Sequence, residues 1–269
     1  MIKHLSFTAC LLSLLLSCSQ APKNPLPGLS PAQTLRIGDL IFANECNLKI
    51  QCLTSWNIGE DFPSLGIGHF IWYRQNQQEV FVESFPALLD FYNSQGVELP
   101  AWISALPERD SPWPTREAFL ADLEGERLQQ LRDFLYDTRE LQAGFIIERM
   151  QASLPRLLRE AENPEEIQSL FYEVANSEPP LGMYALIDYV NFKGEGVSPS
   201  ERYQGEGWGL LQVLETLQQT RNDGALMPQF AEAARTVLAR RVANAPAERG
   251  EQRWLDGWNK RTRTYETPL

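Results

Sequence analysis

Between Leu65 and Glu83 lies the one stretch of this chain that reads as β-structure. Leu65–Tyr73 and Glu79–Glu83 are rich in Ile, Phe, Val, Trp and Tyr, and they flank a polar Arg-Gln-Asn-Gln-Gln turn at 74–78. That single predicted hairpin constrains the fold, because every other periodic segment has helical spacing. Ser30 and Pro31 make an N-cap and first-turn pair, and Leu35, Ile41 and Phe42 carry a helix to about Glu45. Further helical patterns cover 86–94, 115–137, 139–160 with Pro155 as a break, 164–177, 181–192, 206–219, 227–243 and 247–260. Asn163-Pro164-Glu165-Glu166 marks one helix start with particular clarity. One hairpin among many helices predicts an α+β, mainly helical fold, and neither an internal repeat nor a low-complexity segment interrupts it.

The N-terminus is read as processing signal rather than fold. Residues 1–17 carry one lysine and then an apolar run too short to span a bilayer as a mature helix. Leu15-Leu16-Ser17-Cys18 resembles the lipobox of bacterial lipoproteins, which implies lipidation at Cys18. Ser19 follows it rather than Asp, which implies sorting to the outer membrane of a two-membrane bacterium, facing the periplasm. An ordinary signal peptide with an incidental Cys, giving a soluble periplasmic or secreted protein, is the alternative. Residues 18–30 are Pro-rich and polar, as an extended tether would be, and residues 31–269 are enough for a sizeable core. Hydrophobic residues at 43% and seven Trp support a globular domain.

Charge and residue inventory remove several functions. Without residues 1–17 the chain has 23 Lys/Arg against 35 Asp/Glu, a net of −12, which disfavours nucleic acid as a partner. Residues 221–269 run the other way, with nine Lys/Arg against six Asp/Glu, suiting either an anionic ligand or a solvated helix face. His69 is the only His beyond the signal, in a predicted strand where a structural role is the ordinary one. Cys46 and Cys52, six apart where a helix gives way to a loop, are a candidate disulfide in an oxidising compartment; two unlinked buried thiols are the other possibility. One His and a paired Cys couple make no typical zinc site, and the chain has no phosphate-binding loop or dinucleotide fingerprint, so no cofactor is expected. Carboxylate chemistry is left, and glycoside hydrolysis needs only carboxylates and a positioned water.

Three collinear stretches then carry a resemblance. Glu45 at the end of the first helix, an acidic pair at Glu60-Asp61, and Ser64-Leu65-Gly66-Ile67-Gly68-His69 resemble the phage-type lysozymes of glycoside hydrolase family 24. Those enzymes place a catalytic Glu at the end of helix one, an Asp in the next loop and a Thr opening the strand. Ala185-Leu186-Ile187-Asp188-Tyr189-Val190-Asn191-Phe192-Lys193-Gly194-Glu195-Gly196 resembles the family's buried helix and its Gly-containing turn. Arg241 to Arg249, then Trp254 and Tyr265, resemble its final helices, where an Asn and an Arg follow the same pattern. The resemblance frames most of 31–269, but 74–180 matches little, giving an enlarged helical middle at about 85–180.

The resemblance implies a lysozyme-like fold, with a small hairpin lobe and a larger helical lobe. The activity it implies is cleavage of the β-1,4 bond between N-acetylmuramic acid and N-acetylglucosamine in peptidoglycan glycan strands. Glu45 would be the general acid; a helix C-terminus and apolar neighbours such as Phe42, Trp56 and Phe62 favour the protonated form of a glutamate. Glu60 or Asp61 would be the second carboxylate, and Ser64, in place of the family's Thr, would hold water. Two adjacent acids stand where the family has one, and the segment from Glu45 to Ser64 is longer. Glu195 competes for the acid's role, because Gly209-Leu210-Leu211-Gln212 resembles the stretch that follows the catalytic Glu of soluble lytic transglycosylases. Hydrolase and transglycosylase therefore both stay open, beside a lysozyme-like lipoprotein that binds glycan or a protein without cleaving it.

Overall fold

The computed structural model describes residues 26–79, 81–199 and 201–269; the leader, Cys18 and the tether as far as residue 25 lie outside the described residues. The architecture is mainly helical with a small antiparallel sheet. Leu26 and Leu29 pack against the core, so the last residues of the predicted tether belong to the domain. Among the described residues no helix is long and apolar enough to cross a membrane.

Helix α1 (Pro31–Cys46) starts on its predicted cap. Ser30 Oγ accepts from the Gln33 N–H at 3.3 Å and Gln33 Oε1 accepts from the Ser30 N–H at 2.9 Å, a reciprocal box that satisfies two orphan amides. The helix stops because Asn47 and Leu48 turn left-handed, with φ of 48° and 58°, and the Asn47 N–H closes back on the Ala43 carbonyl at 2.9 Å.

The sheet is smaller than predicted, and its reversal falls elsewhere. Strands β1 (Thr54–Ser55), β2 (Ser64–Leu65) and β3 (Phe70–Ile71) run antiparallel in the order β1-β2-β3, with Ser55 opposite Ser64 and Leu65 opposite Phe70. The turn that joins paired strands is Gly66–His69; the chain also turns at 74–77, where the Gln77 N–H donates to the Arg74 carbonyl at 3.0 Å, but no strand pair flanks it among the described residues. Gly66 has φ 70°, and a Cβ there would lie 2.3 Å from Gln142 Oε1, which accepts from the Ile67 N–H at 2.9 Å. No strand forms among the described residues of 79–83, because the Tyr73 N–H that would continue a ladder donates to Glu83 Oε1 at 2.7 Å. β-former content there supplies packing instead: Phe62 meets Tyr73 and Phe81 edge-on at 5.4 and 5.9 Å.

The helical middle comprises α2 (Phe85–Ser94), α3 (Ala101–Ser104), α4 (Arg116–Ala121), α5 (Glu126–Asp137), α6 (Arg139–Glu160) and α7 (Pro164–Ala175). The predicted helix 115–137 is two. Asp122 ends α4, accepts from Trp113 Nε1 at 2.9 Å, and presses so close to Gly125 that a Cβ there would lie 1.8 Å from its carboxylate. Pro155, predicted to break 139–160, does not. It and Gln151 are exposed, so the carbonyl that Pro155 cannot serve faces water.

Helix α8 (Leu181–Lys193) is buried on every side from Leu181 to Tyr189 and runs through the core, with α6, α7 and α9 (Leu210–Thr220) packed around it. A two-stranded hairpin, β4 (Arg202–Tyr203) and β5 (Glu206–Gly207), takes the start of the predicted helix 206–219. Helix α10 (Leu226–Asn244) lies against α9 and α11 (Leu255–Thr262); the predicted helix 247–260 begins as two 3-10 turns. The core continues between the hairpin and the helical middle, where Trp72 packs tilted on Phe85 at 4.6 Å and meets Trp113 at 6.0 Å, and Trp113 meets Phe119 at 5.1 Å.

Candidate active site

Glu45 lies in the last turn of α1, partly buried, and three distant segments converge on it. Arg261 Nη2 of α11 donates to Oε1 at 2.7 Å, and Asn191 Nδ2 of α8 donates to the same oxygen at 3.2 Å. His69 Nδ1, at the end of the β2–β3 turn, faces Oε2 at 3.7 Å. The two oxygens are therefore unlike. Oε1 is held by two donors, and Oε2 has no hydrogen-bond partner among the described residues.

A buried network holds the arginine. Asp188, fully enclosed on α8, accepts from Arg261 Nε at 2.9 Å and Nη2 at 2.7 Å, from the Tyr265 hydroxyl at 2.6 Å and from Asn44 Nδ2 at 3.1 Å. Burial alone would weaken the Arg261 charge, but Asp188 and Glu45 beside it raise its pKa well above the usual value. Burial, reinforced by Asp188, likewise pushes Tyr265 well above its usual range, so its hydroxyl remains a donor. Asn44 also donates to Tyr184 Oη at 2.9 Å, tying α1 to α8 one residue before Glu45. A carboxyl fixed by an internal ion-pair network is a positioned group with one oxygen left to act.

No protein-family profile, curated protein or solved structure matches this chain.

The other predicted site residues fall into two further groups. Glu60 Oε2 accepts from Asn57 Nδ2 at 3.1 Å and from Ser64 Oγ at 3.5 Å, so Glu60 and Ser64 form one unit. Asp61 is exposed, and among the described residues its backbone carbonyl accepts from Gln77 Nε2 at 2.9 Å. Glu195 stands apart from Glu45's hydrogen-bond network, in a two-point ion pair with Arg156 whose Nε–Oε2 distance is 2.7 Å. Its turn is pinned by Gln212, which accepts from the Gly209 N–H at 3.0 Å and donates to the Gly196 carbonyl at 3.1 Å. Gly-Leu-Leu-Gln here closes helix α9 against that turn, and a Cβ on Gly209 would sit 2.1 Å from the Gly196 nitrogen.

Cys46 and Cys52 are disulfide-bonded, with Cα atoms 5.5 Å apart. His69, read from the sequence as a structural strand residue, is a turn residue with φ 49° whose Nε2 lies 3.6 and 3.4 Å from the two sulfurs. Sequence reasoning did not single out Arg261, Asp188 or Lys193. The resemblance directed attention to the Asn and Arg of 241–249, whereas the arginine on Glu45 comes from α11. The basic tail was its trace. Six of its nine cations, Arg221, Arg235, Arg240, Arg241, Arg249 and Arg261, lie within 4.0 Å of carboxylates of this chain. Lys193, at the end of α8 and outside that tail, has its Nζ over the rings of Trp258 at 3.6 Å and Phe192 at 4.0 Å. Burial first, then the Arg241 and Arg261 guanidiniums, push its pKa down to about 6.

Proposed function

We propose that this protein is a lysozyme-like peptidoglycan glycosidase, with Glu45 as general acid and Glu60 as the second carboxylate. The observation that supports this most is the meeting, at the helix-end carboxyl of Glu45, of His69 and Asn191 from two of the stretches that resemble phage-type lysozymes, together with Arg261 of α11, which Asp188 holds in place. With Oε1 anchored by Asn191 and Arg261, Oε2 is the oxygen that would hand a proton to the glycosidic oxygen of the bond between N-acetylmuramic acid and N-acetylglucosamine. Glu60, bonded to Ser64, would as a carboxylate stabilise the oxocarbenium-like transition state or orient a water held by the Ser64 hydroxyl. In this reading Cys18, outside the described residues, carries the lipid, and the domain works on glycan strands from the outer membrane, facing the periplasm. Whether water or the sugar's own hydroxyl completes the reaction is an outcome of the product analysis below.

The test is murein cleavage by wild type, Glu45→Gln and Glu195→Gln, with products separated by mass. General acid catalysis contributes typically 10²–10⁴-fold, so Glu45→Gln should lose at least about a hundredfold. Its Tm should shift little, because the Gln carbonyl still accepts from Asn191 and Arg261. Glu195→Gln should retain activity. Anhydro ends on the muramic acid would make it a transglycosylase; reducing ends, a hydrolase. An active Glu45→Gln beside a dead Glu195→Gln would overturn the assignment in favour of Glu195. Wild type that pellets with murein and cleaves none would make it a binding protein.

A further inference from the structure

The glycosidase reading gives Cys46 and Cys52 no chemical role and uses His69 only as a neighbour of Glu45, yet three separate elements bring them together. Cys46 ends α1, Cys52 lies in the 3-10 turn Ile50–Leu53, and His69 closes the β2–β3 turn. The two sulfurs and one imidazole nitrogen all lie within 4.8 Å of one another. Tetrahedral zinc, with Zn–S near 2.3 Å and Zn–N near 2.0–2.1 Å, sets its S and N ligands roughly 3.5 Å apart. The observed S···Nε2 distances are 3.6 and 3.4 Å. Two of the three edges of such a site therefore already have their length, and the third is the one the disulfide closes.

We infer that the reduced protein binds one thiophilic d¹⁰ cation, such as zinc(II), through Cys46 Sγ, Cys52 Sγ and His69 Nε2, with the fourth position open to solvent. Opening the site requires a thiol reductant. A thiolate of the reductant attacks one sulfur to form a mixed disulfide, its second thiol displaces it, and the reductant leaves as a disulfide. Two electrons and two protons have then passed to Cys46 and Cys52. The cation displaces those two protons, and two thiolates neutralise its charge. The His69 side chain is 26% exposed, which gives the cation a way in. Its other nitrogen, Nδ1, faces Glu45 Oε2, the arrangement in which metal-bound histidines commonly present their second N–H to a carboxylate. None of this depends on the glycosidase reading.

The experiment uses the full chain with Cys10→Ser and Cys18→Ser, so that Cys46 and Cys52 are its only sulfhydryls. The protein is reduced with a phosphine, desalted without oxygen and titrated with cobalt(II), then with zinc(II). The expected result is one equivalent of cobalt, with thiolate charge-transfer and tetrahedral d–d bands that zinc abolishes. The oxidised protein should show none. His69→Gln keeps both sulfurs and the native disulfide, and should weaken binding by at least the roughly 10–100-fold that loss of a ligand-orienting partner costs. Cys52→Ser should abolish the charge-transfer bands. Absence of one-to-one binding in the reduced wild type, whether or not it keeps its helical spectrum, overturns the inference. So does His69→Gln binding as tightly as wild type, or equal binding by the oxidised protein.

Discussion

At the scale of single residues, Arg261 does two tasks with one guanidinium. It neutralises Asp188 inside the core and holds Oε1 of Glu45 near the surface. Arg261→Met would strand a buried carboxylate with only Tyr265 and Asn44 as donors. Removing one partner of a buried pair typically costs about 3–5 kcal/mol, so Arg261→Met should lose about 3 kcal/mol in urea unfolding. Adding Asp188→Asn to it should recover part of that loss, because the charge that needs a partner is gone. A smaller cost for the double than for the single variant is the signature to look for; equal costs would mean that Arg261 acts through packing on Phe192, whose ring it covers at 4.1 Å.

At the scale of elements, the Ser-Leu-Gly-Ile-Gly-His segment is a turn shaped to receive a buried glutamine from α6. Gln142 accepts from the Ile67 N–H and donates to the Leu135 carbonyl at 2.6 Å, so one side chain joins the sheet to the ends of two helices. Gln142→Ala leaves a buried amide without a partner and should cost about 1–3 kcal/mol. Gly66→Ala puts a Cβ 2.3 Å from that same Gln142 oxygen at a left-handed φ, and should cost at least as much. The two costs should not add, because Gln142→Ala removes the atom that the new methyl strikes. Chemical denaturation of the two single variants and the double checks this; strict additivity would mean that the strain at Gly66 is wholly in its backbone.

At the scale of the whole molecule, the charge distribution makes stability depend on pH through Lys193. Its folded pKa of about 6 lies below the ordinary 10.5, so between those values the unfolded chain holds more protons and stability rises with pH. Below about pH 6 both states are charged, and the cost of burying that charge is carried in full. Lys193→Met should therefore raise Tm most near pH 6, and its advantage over wild type should shrink steadily towards pH 10. A constant difference across that range would show that the amine stays protonated between the faces of Trp258 and Phe192. Lys193 lies outside the basic tail of 221–269, where six of the nine cations pair with carboxylates of this chain.

Local sequence was enough to fix much of this protein. Ser30-Pro31 and Gln33 set the start of α1, Asn163-Pro164 set that of α7, and the helical pattern of 181–192 marked α8. Each depends on interactions within a few residues, which a sequence displays directly. Glu45 was singled out through the resemblance, and the structure places it in the last turn of α1. What tertiary structure alone decided is what surrounds that carboxyl. Arg261 is 216 residues away along the chain and Asn191 is 146, and no local pattern ties them to it. The chain does turn at 74–77, where the Gln77 N–H donates to the Arg74 carbonyl at 3.0 Å, but the strand-pairing turn at 66–69 was not legible because its determinant is a glutamine 75 residues further on. His69 looked structural because its strand was drawn too long; a left-handed backbone turns it toward the disulfide and Glu45. Propensities and caps are set by neighbours in sequence, but a partner for a buried charge is chosen by whichever distant helix the packed core brings within reach.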